Sequence, residues 1–139
     1  MTPPFASAPA GIQRLSETAL PALIDTIEQA GLLALEIDFS DCSDKEALLQ
    51  RVTHALALPA WFGHNWDALD EALDDLSAWR PATGHALLLH GTAPLEAHPG
   101  SGFAVFLDIL GDAVRGRTPD DPPLQVFIIE PPAPDDAHA

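Results

Sequence analysis

The chain has 139 residues, with 47% hydrophobic residues, 21 Asp and Glu against 6 Lys and Arg, and a formal net charge of -15. The length suits one domain with a real core, and the mean hydropathy of +0.09 argues against global disorder. The charge excludes a nucleic-acid binder or a guest of anionic membranes, because affinity for phosphate comes from Lys and Arg. No run reaches the roughly 18–20 apolar residues of a membrane span. One cysteine, Cys42, allows no intramolecular disulfide, and the start MTPPFASAPA lacks the basic and apolar segments of a signal peptide. A cytoplasmic protein is expected. Cys42 reads as a small buried filler near a strand end.

Residues 1–15 form the expected mobile N-terminal segment, 16–130 a single domain, and 131–139 an acidic, Pro-rich tail. Leu20, Leu23, Ile24 and Ile27 recur at helical spacing, with Pro21 in the first turn of a helix starting near Thr18 and Gly31 as its stop. Leu32–Phe39 is the first expected strand. Ser43-Asp44-Lys45-Glu46 reads as a capping box, opening a helix that buries Leu48, Val52, Ala55 and Leu56 and ends before Pro59. After the 58–76 region come strands at His85–His90 and Leu124–Glu130. Between them lies a helix near Ser101–Arg115 with Phe103, Phe106, Leu107, Leu110 and Val114 on one face. The 91–100 stretch reads as a connector. Apolar strands alternating with helices predict an α/β fold, a small three-stranded parallel sheet with helices packed on it.

The richest stretch is Leu58-Pro59-Ala60-Trp61-Phe62-Gly63-His64-Asn65-Trp66-Asp67-Ala68-Leu69, continuing through Asp70-Glu71-Ala72-Leu73-Asp74-Asp75-Leu76. On a helical wheel Trp66, Leu69, Ala72, Leu73, Leu76 and Trp79 share one arc. Asp67, Asp70, Glu71, Asp74 and Asp75 share the opposite arc, with no basic residue between 65 and 79. Asn65 is placed to cap the helix, and Asp67 suits its positive end. The pairs Asp67/Glu71, Asp70/Asp74 and Glu71/Asp75 each cost roughly 0.2–0.5 kcal/mol. This face therefore calls for a basic partner, or else is a solvated face that serves only solubility. Trp61 or Phe62, flanking Gly63 and His64, would project beside the acids as an anchor.

The six histidines form no HxxxH or HExxH pair, so no metal or other cofactor is expected. The carboxylates lie on an open helix face rather than in an apolar cleft. With no phosphate-binding glycine loop and no nucleophile motif, an enzyme is not the reading.

The pattern Leu58-Pro59-x-Trp61-Phe62-Gly63-x-Asn65-x-Asp67-Ala68-Leu69 resembles the core motif of the barstar family, the intracellular inhibitors of barnase-type ribonucleases. A weaker resemblance in the order of elements covers about residues 30–130. The resemblance implies the same three-stranded fold and a 1:1 complex with a basic, extracellular-type ribonuclease. It implies a monomer when free, with no direct role for nucleic acid or membrane. By position it implies that Trp61 takes the place of a contacting tyrosine, Asn65 that of the cap, and Asp67 that of an acidic contact. Glu71 stands where the family has its central inhibitory aspartate, one methylene longer. Asp70 replaces an aromatic contact, and Asp112 falls near a further acidic contact on the last helix. Phe62, Gly63, His64 and Asp74 complete the implied partner-binding set, and a few residues are inserted around Asp74–Trp79. The first reading is thus a ribonuclease inhibitor or immunity-type protein; the alternative is a barstar-like interaction module with a partner that is not a nuclease.

Overall fold

A computed structural model of the chain describes residues 12–59, 65–118 and 120–131. Its strands are β1 (Ile12–Ser16), β2 (Leu33–Asp38), β3 (His85–His90) and β4 (Leu124–Glu130). They form one sheet in the order β1-β4-β3-β2, with every neighbouring pair parallel. The α/β class holds, but the sheet has four strands where three were expected. The extra strand is β1, which begins inside the stretch assigned to a mobile segment. Ile12 pairs with Val126 and Leu15 with Ile129, so β1 lengthens the sheet on the outer side of β4.

The central strands read as continuous apolar runs because a parallel sheet is covered on both faces. On one face Leu35, Ile37, Leu87, Leu89, Val126 and Ile128 pack against α2 (Lys45–Ala55), α3 (Trp66–Asp74) and α6 (Phe103–Arg115). On the other face Ala86, Leu88, Phe127 and Ile129 pack against Leu23 and Ile27 of α1 (Leu20–Gln29). Alternation along each strand sends successive side chains to opposite layers. Thus α1, fed directly by β1, closes a face that would otherwise be open.

Local signals place the helix ends. The Ser16 hydroxyl accepts from the Thr18 amide at 3.3 Å, and a 3-10 turn over Glu17–Ala19 leads into α1. The helix proper thus starts at Leu20 rather than near Thr18, with Pro21 still in its first turn. The cap of α2 is Asp44, not Ser43: its carboxylate accepts from the Ala47 amide at 2.8 Å. A carboxylate at that position also suits the positive end of the helix. Beyond α2 the chain turns at Ala57, whose φ is 57°. The Leu58 amide donates to the Thr53 carbonyl there, in a Schellman-type closure. The 91–100 connector contains α5 (Ala93–Ala97), which buries Leu95. Ser101 belongs to a 3-10 turn, and α6 starts two residues later, at Phe103. Cys42 is buried, its thiol pushed up in pKa chiefly by desolvation. Among the described residues no helix is long and apolar enough to cross a membrane.

Candidate partner-binding site

The acidic helix α3 is anchored at both ends. At its start Asn65 is extended (φ -143°, ψ 169°), and its side-chain oxygen accepts from the Ala68 amide at 2.8 Å. Trp66, the first helical residue, is half-buried and packs on the core. Its ring lies against Gly102, where an added Cβ would stand 2.7 Å from Trp66 Cζ2. That glycine also has a φ of +79°, so a bare, left-handed residue is needed there. Lys45 Nζ sits 5.5 Å from the Trp66 ring centroid, within cation–π range. The inner face of α3, made by Leu69, Ala72 and Leu73, is buried. Its leucines share a core cluster with Phe106 and Leu110 of α6.

The outer face carries Asp67, Asp70, Glu71 and Asp74, all exposed. Asp75, also exposed, caps the C-terminal end. Among the described residues none of these carboxylates takes part in an ion pair. Three of the cations form ion pairs elsewhere: Arg14 with Glu96 and Glu130, Arg51 with Asp41, and Arg115 with Asp112. Burial of the apolar arc and exposure of the acidic arc follow the wheel drawn from the sequence.

The helix is shorter than that wheel assumed. It stops at Asp74, Asp75 leaves helical angles (φ -130°, ψ 47°), and a separate short helix α4 spans Leu76–Trp79. In a continuous helix the Leu73 carbonyl would accept from the amide of residue 77. Here it accepts instead from Arg117 Nη2 at 2.7 Å. The third like-charge pair, Glu71/Asp75, therefore straddles the break.

His85, at the start of β3, is buried, and its Nε2 donates to the Arg80 carbonyl at 2.5 Å, tying the turn after α4 to the sheet. Desolvation holds this imidazole below its ordinary pKa against the opposing effect of that hydrogen bond, and the charges of Arg117 and Arg80 depress it further. At the other end of the strand His90 Nε2 meets Glu36 Oε1 at 2.9 Å. Among the described residues no group of three or more His, Cys, Asp or Glu is arranged to hold a metal.

The structure thus brings Asn65, Asp67, Asp70, Glu71 and Asp74 onto one short helix. Asp112 stands exposed on α6, the neighbour of α3 in the core, but it already has a cation in Arg115 one turn on. Trp61, Phe62, Gly63 and His64 lie outside the described residues. Arg117 was not singled out from sequence, since nothing local marks a basic residue after a helix-terminating glycine as the end cap of a helix 44 positions earlier.

A family model described as Barstar (barnase inhibitor) matches residues 32–129. The matched span contains β2, β3, all of β4 but its last residue, and the whole of the acidic helix, and leaves β1 and α1 outside it. No curated protein matches the chain.

Proposed function

Because the chain belongs to the barstar family of barnase inhibitors, we propose that it inhibits a barnase-type ribonuclease by closing the enzyme's basic active site with α3 and the loop before it. The observation that carries this reading is the outer face of α3. Four carboxylates stand exposed on a capped, core-anchored helix, and none has a cation of its own among the described residues.

The mechanism is competitive exclusion. Asp67, Asp70 and Glu71 pair with the Arg, Lys and His side chains that would otherwise hold RNA phosphate, and no covalent bond changes. Charge-assisted hydrogen bonds of this kind are shorter and stronger than neutral ones. Trp61 and Phe62, around Gly63 and His64, supply an aromatic anchor beside the acids. Asp74 and Asp75 act at the rim, mainly on the rate of encounter, and Asp112 joins once Arg115 is displaced. The net charge of -15 steers the protein toward a basic enzyme. That gain shrinks as salt shortens the screening length, about 8 Å at physiological ionic strength.

The test is titration of a barnase-type ribonuclease followed by RNA cleavage at low and moderate salt. Stoichiometric loss of cleavage, weakened by Glu71→Gln and Asp67→Asn, supports the proposal. Full cleavage at micromolar inhibitor refutes inhibition of that enzyme class. Binding that survives both carboxylate changes but is lost on Trp61→Ala or Phe62→Ala would point to an interaction module instead.

A further inference from the structure

We propose that Arg117 is a positioning residue, seating the C-terminal end of the acidic helix and so fixing where the Glu71 and Asp74 carboxylates stand. The effect on binding rests on the inhibitor reading, whereas the effect on the helix does not.

The helix needs such a residue. Its last carbonyls form the negative end of the helix dipole, its outer face is wholly acidic, and its last turn contains no basic residue. The compensating cation arrives from outside, from the segment that follows α6. Arg117 Nη2 donates to the Leu73 carbonyl at 2.7 Å, at the point where the helix stops.

The side chain is held there at some expense to itself. Its Nε is buried with no acceptor among the described residues, a state that packing alone does not favour. A leucine or methionine would fill the space without that unsatisfied donor. What the guanidinium adds is one directed hydrogen bond and one charge at the helix end.

The surroundings agree. A cavity of about 40 Å³ is lined by Asp74, Asp75, Leu76, His85, Arg117 and Pro122. Arg117 thus shares this cavity with the two carboxylates that end the acidic helix and with the buried His85 ring, while its charge also acts on Asp121 in the following turn. Arg117 reaches the Leu73 carbonyl where α3 stops, and α3 does not run on into α4. A helix continued through Asp75 would carry Asp75 onto the outer arc with Asp67, Asp70, Glu71 and Asp74. Arg117 therefore steadies the last turn of the acidic face at the point where the helix stops.

The experiment compares the full chain with Arg117→Met and Arg117→Lys, at a temperature where circular dichroism shows all of them folded. The readouts are amide hydrogen exchange and binding kinetics against a barnase-type ribonuclease. Arg117→Met should speed exchange at Leu73–Asp75 roughly tenfold, while distant β3 amides stay unchanged. It should raise the dissociation rate severalfold without slowing association, since it makes the chain one charge more negative. Arg117→Lys, which keeps a cationic donor, should restore most of both. Unchanged or slower exchange at Leu73–Asp75 in Arg117→Met overturns the proposal. Faster exchange with wild-type dissociation overturns its link to the carboxylates. If the unaltered protein does not bind the ribonuclease at all, the inhibitor reading fails, and exchange alone decides the role of Arg117.

Discussion

Glu71→Gln should make the free protein more stable and the inhibitor worse, and the opposite signs are the informative part. Within α3, Glu71 has Asp67 four residues before it and Asp74 three residues after it, all exposed and without an ion pair among the described residues. Each like-charge neighbour at such spacing costs roughly 0.2–0.5 kcal/mol, so removing the charge should return about 0.4–1 kcal/mol. For a domain of this size that raises Tm by about 1–4 °C. The assay is urea and thermal unfolding at low salt, repeated in 1 M salt, where a screening length of about 3 Å should erase most of the difference. The same variant should dissociate faster from the ribonuclease, because an enzyme cation loses its partner. A Glu71→Gln protein less stable than the parent at low salt would refute the reasoning, since it would mean that the carboxylate is already satisfied in the free molecule.

Asn65→Ala removes the side-chain bond to the Ala68 amide and should cost about 1 kcal/mol in urea unfolding, while Asn65→Asp keeps the cap. Gly102→Ala should destabilise by more than 1 kcal/mol and alter the near-ultraviolet circular dichroism, because a Cβ there is strained by the +79° φ and meets the Trp66 ring. Ile27→Ala, on the helix outside the family-matched span, should cost about 2–5 kcal/mol, showing that β1 and α1 are part of the folded unit; no loss in chemical denaturation would overturn that. The buried His85 is held below its ordinary pKa, so on acidification the unfolded chain takes up that proton before the folded one does. Stability should therefore fall as pH drops below about 6.5, by at most about 1.4 kcal/mol per pH unit from this group, and His85→Gln should flatten that slope.

Elements whose signals are local were legible in the sequence. Helical spacing marked α1, α2 and α6, and the apolar runs marked β2, β3 and β4, because each pattern is complete within its own segment. The division of α3 into a buried and an acidic arc was legible for the same reason. The strand β1 was not. Its five residues, IQRLS, carry too little alternation to stand out beside a Pro- and Ala-rich start, and its partner β4 lies more than a hundred residues away. The end of α3 was also hidden, since the side chain that meets its last turn, Arg117, reaches the Leu73 carbonyl from 44 positions away. The cap of α2 was misplaced by one residue because Ser43 and Asp44 can both cap, and only the backbone geometry selects Asp44.

The disposition of the cations is in keeping with the proposed binding role of the acidic face. Surfaces that serve solubility intersperse both signs, since unbroken charge of one sign costs stability without need. This chain has six Lys and Arg in all. Five are committed elsewhere: Arg14 to Glu96 and Glu130, Lys45 to the Trp66 ring, Arg51 to Asp41, Arg115 to Asp112, and Arg117 to a backbone carbonyl. Two of these, Lys45 and Arg117, are spent at the two ends of α3, on its first residue and on its last turn, rather than on its carboxylates. The helix is thus held firmly by its ends and its buried leucines while its outer charges repel one another. Burial of Leu69 and Leu73, worth about 1.5–3 kcal/mol each, outweighs a repulsion of about 1 kcal/mol from the in-helix pairs, so the face survives unneutralised in the free protein. On the inhibitor reading proposed above, a basic surface relieves that repulsion at the moment of contact, with the carboxylates already in place.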